Sequence, residues 1–153
     1  MALEIERKFL VKEGAWRHAK ATRCRQGYLS IDPERTVRVR TMNDKGYLTL
    51  KGISHGAVRT EYEYEIPKAE AEAMLNGLCK KPLIEKIRYT IEHEGLVWEV
   101  DEFFGENQGL IIAEVELENE NQTFAKPEWI DKEVTGDSKY FNANLIDSPF
   151  SKW

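Results

Sequence analysis

Val58-Arg59-Thr60-Glu61-Tyr62-Glu63-Tyr64-Glu65-Ile66 alternates without a break between charged and neutral residues. Successive side chains of a strand point to opposite faces, so Arg59, Glu61, Glu63 and Glu65 share one face and Thr60, Tyr62, Tyr64 and Ile66 the other. The same period of two recurs along the chain, punctuated by Gly, Asn, Asp and Pro. It predicts strands near Leu3–Val11, Arg25–Ser30, Thr36–Met42, Gly46–Gly52, Val58–Pro67, Glu85–Glu92, Leu96–Phe103 and Leu110–Glu118. Asn43-Asp44-Lys45-Gly46 and His93-Glu94-Gly95 read as hairpin turns. Glu13–Lys20, Lys68–Leu78 and Asp137–Leu145 read as helices, the last opened by the N-cap pair Asp137-Ser138. Eight strands with few helices predict a mainly β (α+β) fold, an eight-stranded antiparallel β-barrel with packed helices.

The 153 residues are one domain long, and we read 1–153 as a single unit. Lys+Arg 22 against Asp+Glu 27 gives a net charge of −5, which speaks against nucleic acid as the main partner. No run approaches the ~18 apolar residues of a membrane span. Met1–Arg7 lacks the basic-then-apolar order of a signal peptide. Cys24 and Cys79 lack metal-ligand spacing and read as free thiols, so we expect a cytoplasmic protein.

The distribution of charge says more than its sum. Glu4, Glu6 and Lys8 share one face of the first strand. Arg38 and Arg40 share a face of the third, and Thr49 and Lys51 of the fourth. Lys86 and Arg88 align on the sixth, Glu99 and Asp101 on the seventh, and Glu114, Glu116 and Glu118 on the eighth. A solvated sheet face ordinarily mixes signs, because like charges on neighbouring positions repel. Carboxylates in runs call for divalent cations, and cations in runs call for a polyanion. Together they describe a site for a metal-bound polyphosphate, with the charged faces turned into the barrel. The opposite faces carry Tyr62, Tyr64, Tyr89 and Trp98, and we expect the two longer helices to cover them.

Glu4-Ile5-Glu6-Arg7-Lys8-Phe9 resembles the ExExK signature of the CYTH superfamily, the triphosphate tunnel metalloenzymes. Arg38-Val39-Arg40, Leu50-Lys51-Gly52, Arg59-Thr60-Glu61-Tyr62-Glu63 and Lys86-Ile87-Arg88 resemble that family's later strands, in order. So do Trp98–Asp101, Glu114–Glu118 and the close Glu133-Val134-Thr135-Gly136-Asp137 with Tyr140, Asn142 and Leu145. The resemblance covers nearly the whole chain and is strongest to the compact bacterial inorganic tripolyphosphatases.

It implies hydrolysis of inorganic tripolyphosphate, with nucleoside triphosphates as further substrates, by water attack in line on a terminal phosphorus. It implies Mg²⁺ or Mn²⁺, with Glu4, Glu6 and Glu116 as ligands and Glu61 and Asp101 completing the set. Arg38, Arg40, Lys51, Arg59, Lys86 and Arg88 would grip phosphate oxygens, arginines as forks and lysines as compact charges. Lys8 would meet a phosphate or steer the water, and Glu63 and Glu114 would orient or activate it. A class IV-type adenylate cyclase and a non-catalytic polyphosphate- or nucleotide-binding module are the alternatives. Partners expected are the small triphosphate, no nucleic acid, no membrane, and at most a second copy (monomer or homodimer). Arg7 faces away from Glu6 and Lys8, and Lys139 reads as reaching for the tunnel mouth. His18, His55 and His93 show no two-histidine metal spacing, and no P-loop is present.

Overall fold

The computed structural model describes residues 3–153. Its elements are β1 (Leu3–Val11), β2 (Lys20–Asp32), β3 (Arg35–Met42), β4 (Lys45–His55), β5 (Val58–Ile66), α1 (Lys68–Gly77), β6 (Lys80–His93), β7 (Leu96–Phe103), β8 (Ile111–Glu116) and β9 (Ile130–Glu133). Short 3-10 turns occupy Ala15–His18, Gly105–Asn107, Ser138–Tyr140, Asn142–Leu145 and Phe150–Lys152. The strands run β5-β4-β3-β2-β6-β7-β8-β1-β9, and a further pairing of β5 with β1 closes the first eight into a barrel. Every recorded pairing is antiparallel. Closure leaves the eight strands without an open edge and gives the sheet an inside.

The hairpins form where the turn residues allow. Glu94 and Gly95 hold φ of 46° and 83° between paired His93 and Leu96, a two-residue loop of the primed kind. Asn43 takes φ 55° between paired Met42 and Lys45. Gly46 lies in β4, just past that loop. An added Cβ there would stand 2.6 Å from Ala71 Cβ, so glycine lets α1 settle on the sheet. Ala71 and Leu75, one turn apart on α1, pack against Val39, Leu48 and Ile66.

Two expected helices are short turns. Within Glu13–Lys20 only Ala15–His18 is helical, and β2 already begins at Lys20. Trp16 drives this: it is buried edge-on to Tyr89 at 5.0 Å, and its Nε1 donates to the Lys12 carbonyl. In Asp137–Leu145 the cap is present, since the Asp137 carboxylate accepts from the Lys139 amide. The helix does not continue, because Phe141 is extended (ψ 129°) and splits the segment into two turns. Tertiary packing overrides propensity here: Ala143 and Leu145 sink into a core with Tyr28, Ile84, Phe103 and Ile112 that fills one end of the barrel.

The expected cover of the outer faces is partial. Segment Phe124–Ile130 and Trp16 cover Phe9, Trp98, Val100 and Val115 on one side. Helix α1 covers another, but among the described residues no helix reaches Tyr62 and Tyr64, which stay 50% and 54% exposed. The short β9 escaped the sequence reading, since four residues alternate too briefly to stand out. Its pairing with Phe9 and Val11 is braced by an Arg7–Glu133 ion pair on the outer face. Lys139 turns outward, its Nζ 4.1 Å from the Trp153 ring, away from the expected tunnel mouth.

Candidate active site

The barrel encloses a cavity of about 440 Å³ bounded by charged side chains from seven of its strands, with Tyr28 from the eighth and the segment Thr135–Ala143 completing the wall. Register decides which charges meet. Across β1 and β8, Glu6 opposes Glu116 and Lys8 opposes Glu114; across β7 and β8, Glu99 opposes Glu114. Across β2 and β3, Tyr28 opposes Arg38 and Gln26 opposes Arg40, while Lys86 pairs with Cys24 on the other side of β2. One wall is thus mainly acidic and the facing wall mainly basic.

On the acidic wall, Lys8 Nζ lies 3.3 Å from Glu114 and 3.4 Å from Glu6. Burial raises the Glu6 carboxyl well above its ordinary pKa, and the neighbouring Glu114 charge adds to that. Burial presses on Glu114 too, but Lys8 and a hydrogen bond with Glu6 hold it well below the ordinary value. The pair therefore behaves as one proton shared unequally. Glu4 and Glu61 repeat the arrangement. Burial and the bond to Glu4 push Glu61 up to about 7, while Lys51, 3.1 Å from Glu4, helps keep that carboxyl lowered against burial.

On the basic wall, Glu63 Oε1 accepts from Thr49 at 2.8 Å, Arg40 at 3.2 Å and Arg38 at 3.4 Å. Asp101 lies beneath Lys86 and Arg88. Its Oδ2 accepts from Lys86 at 2.7 Å and Arg88 Nη2 at 2.9 Å, and its Oδ1 accepts from Arg88 Nε at 2.8 Å. Arg59 donates to the Gly52 carbonyl and to Thr36. The Nε atoms of Arg38 and Arg40 are buried and have no partner among the described residues. Buried donors without acceptors are uncommon, and here they belong to forks suited to an oxyanion.

The structure brings Glu4, Glu6, Lys8, Arg38, Arg40, Lys51, Arg59, Glu61, Glu63, Lys86, Arg88, Glu114 and Glu116 to one lumen. It does not bring Asp101 to that surface; the carboxylate is 1% exposed and engaged by two cations. The reason is that Asp101 pairs with Arg88 across β6 and β7, deep in the wall. The carboxylates meet in twos: among the described residues no three Asp, Glu, His or Cys side chains already surround one point. Sequence reasoning set Glu99 on the charged face beside Asp101 but gave it no role in the site. It left out Gln26, Tyr28 and Phe141, for which strand periodicity offers no signal. Both cysteines are buried and unpaired, as expected.

An eight-stranded barrel with opposed acidic and basic inner walls defines a tunnel-type polyanion site. The chain belongs to the CYTH domain family, which matches residues 2–147. It is 55% identical to an inorganic triphosphatase of Acetivibrio thermocellus, covering 100% of this chain and 99% of that protein. An inorganic triphosphatase of Nitrosomonas europaea is 36% identical over 93% of this chain and 95% of its own length. The crystal structure of an inorganic triphosphatase superposes over 95% of each chain with a TM-score of 0.67 at 35% identity.

Proposed function

We propose that this chain hydrolyses inorganic tripolyphosphate, and nucleoside triphosphates less well, with Mg²⁺ or Mn²⁺. The observation that carries this reading is the pair of buried, unpartnered Arg38 and Arg40 Nε donors facing crowded carboxylates across one lumen. The full-length similarity to an inorganic triphosphatase supports it. We place the protein in the cytoplasm, whose reducing conditions suit two free cysteines.

The acidic wall fits a hard divalent cation: its ligand atoms are carboxylate oxygens, and burial, with Glu114 and Glu4 beside them, raises the Glu6 and Glu61 carboxyls, a cost of ionisation that a cation would offset. Glu4, Glu6 and Glu116, with Glu61, would hold the ion. When bound, it supplies positive charge against the oxygens of the phosphoryl group being transferred.

The protein groups do the rest by position and charge. Arg38, Arg40, Lys51, Arg59, Lys86 and Arg88 bind phosphate oxygens. Glu63 sets the heads of Arg38 and Arg40, and Asp101 sets those of Lys86 and Arg88, so we assign both carboxylates to positioning. Glu114, ionised beside Lys8, accepts a hydrogen bond from the attacking water, and Lys8 donates to the phosphate it approaches. Water oxygen bonds to the terminal phosphorus, the bridging P–O bond breaks, pyrophosphate leaves with the bridging oxygen, and of the two water protons one stays on the orthophosphate and the other is given up through Glu114.

The test is a panel of tripolyphosphate, ATP and pyrophosphate with each metal, with products resolved. Orthophosphate plus pyrophosphate from tripolyphosphate, as the fastest reaction, is expected. Cyclic AMP as the main product from ATP, or binding without turnover under both metals, would overturn the reading.

A further inference from the structure

Asn142 lines the lumen from the turn Asn142–Leu145, outside every strand. Its Oδ1 accepts two hydrogen bonds, from Gln26 Nε2 at 2.7 Å and from Lys86 Nζ at 3.1 Å. Lysine is a donor only, so the atom of Asn142 that meets Lys86 must be the oxygen, and the orientation of the amide follows. Nothing among the described residues accepts from Nδ2. The anchors do not move easily: Gln26 is fully buried, and Lys86 is 3% exposed and also held by Asp101. The turn itself is pinned by Ala143 and Leu145 in the core.

We propose that Asn142 is a substrate-binding residue whose Nδ2 amide donates to a phosphate oxygen of the bound polyphosphate. This rests on the reading that the lumen takes a short inorganic polyphosphate. Register places the site: Gln26 opposes Arg40 on one side of β2, and Lys86 opposes Cys24 on the other. Asn142 therefore stands between the Arg40 and Lys86 sectors of the basic wall. Arg38, Arg40, Lys86 and Arg88 already crowd that wall, and a further cation would repel them. A neutral donor adds a contact to the anion without adding to the repulsion. Because Asn142 belongs to the C-terminal segment, the substrate then joins that segment to the barrel wall.

The experiment compares Asn142→Asp and Asn142→Met with the wild type. Aspartate keeps the acceptor for Gln26 and Lys86 but loses the N–H donors. Methionine is neutral and loses both, while Asp101 still holds Lys86. Binding of tripolyphosphate to metal-free protein is read by calorimetry, and the fold by thermal melting. A residue that only braces Gln26 and Lys86 would keep binding in Asn142→Met, which adds no charge and leaves Lys86 on Asp101, and would lose only stability there. The proposal expects both variants to bind about tenfold or more weakly, the scale of a hydrogen bond to a charged group. It also expects Asn142→Asp to melt near the wild type. Wild-type affinity in Asn142→Met overturns it. Since the readout is binding, a wild type that binds tripolyphosphate without cleaving it would sink the hydrolase reading and leave this one to be decided by the variants.

Discussion

Lys86 Nζ and Asp101 Oδ2 lie 2.7 Å apart, with side chains 2% and 1% exposed. Arg88 closes on the same carboxylate through two further hydrogen bonds. One anion beneath two cations leaves the wall positive while fixing the direction of both heads. A buried ion of this kind is costly to orphan.

Asp101→Asn should therefore destabilise the protein by ~3–5 kcal/mol, because two buried cations lose their counter-charge. Urea denaturation measures it. A change within ~0.5 kcal/mol, the scale of an ordinary surface substitution, would show that Lys86 and Arg88 do not depend on this carboxylate.

The same carboxylate sets an acid limit. Burial alone would raise its pKa, but Arg88 and Lys86 bring it down to about 2 from 3.8. A folded pKa below the unfolded one stabilises above the unfolded value of about 3.9 and is lost as pH falls through the folded value. The stability gap between wild type and Asp101→Asn should be constant near neutrality and shrink from about pH 4 towards pH 2. An unchanged gap at the acid end would remove Asp101 from the account of acid sensitivity.

Glu61 should act in the opposite sense. Its carboxyl is raised to about 7 by burial and by Glu4. A carboxyl with a raised folded pKa costs the fold stability between its ordinary value of 4.5 and the folded one, so metal-free wild type should weaken as pH rises towards 7 and level off above it. Glu61→Gln keeps a donor for Glu4 and carries no charge. Its melting temperature should exceed that of the wild type by far more at pH 8.5 than at pH 5. Equal melting at both values would argue against proton sharing between Glu4 and Glu61.

Glu6→Gln should separate stability from activity. Glutamine is neutral and keeps a donor for Glu114, as the raised Glu6 carboxyl does, so the metal-free protein should melt no lower than the wild type. Triphosphate turnover should fall below detection. EDTA should stop the wild-type reaction and added Mg²⁺ or Mn²⁺ restore it, while the variant recovers with neither. Full activity of Glu6→Gln at limiting Mg²⁺ would take Glu6 out of the ligand set.

Arg38→Ala, Arg40→Ala and Arg88→Ala should each cost about 1.5–3 kcal/mol in kcat/KM for tripolyphosphate, the range for a hydrogen bond to a charged group. Glu63 also loses a partner in the first two, so we expect both to lower kcat as well as raise KM. Unaltered kinetics across the three would move the phosphate site off this wall.

Strand identity and the content of the inner face were legible in the residues themselves. Period-two alternation marks which side chains share a face, and like-charged runs such as Arg38-Arg40 and Glu114-Glu116 are unstable on a face without a ligand. What alternation cannot show is which face meets which, because register and closure depend on contacts far apart in the chain. Asp101 and Glu99 carry the same pattern, yet closure puts Glu99 on the lumen and Asp101 under two cations. Asp137 caps as its sequence says, but the helix beyond it is cut at Phe141 by the packing of Ala143 and Leu145. Asn142 reaches Lys86 across 56 positions of sequence. A local pattern records the preferences of a residue and its neighbours; a pairing over that distance exists only once the barrel has closed around it.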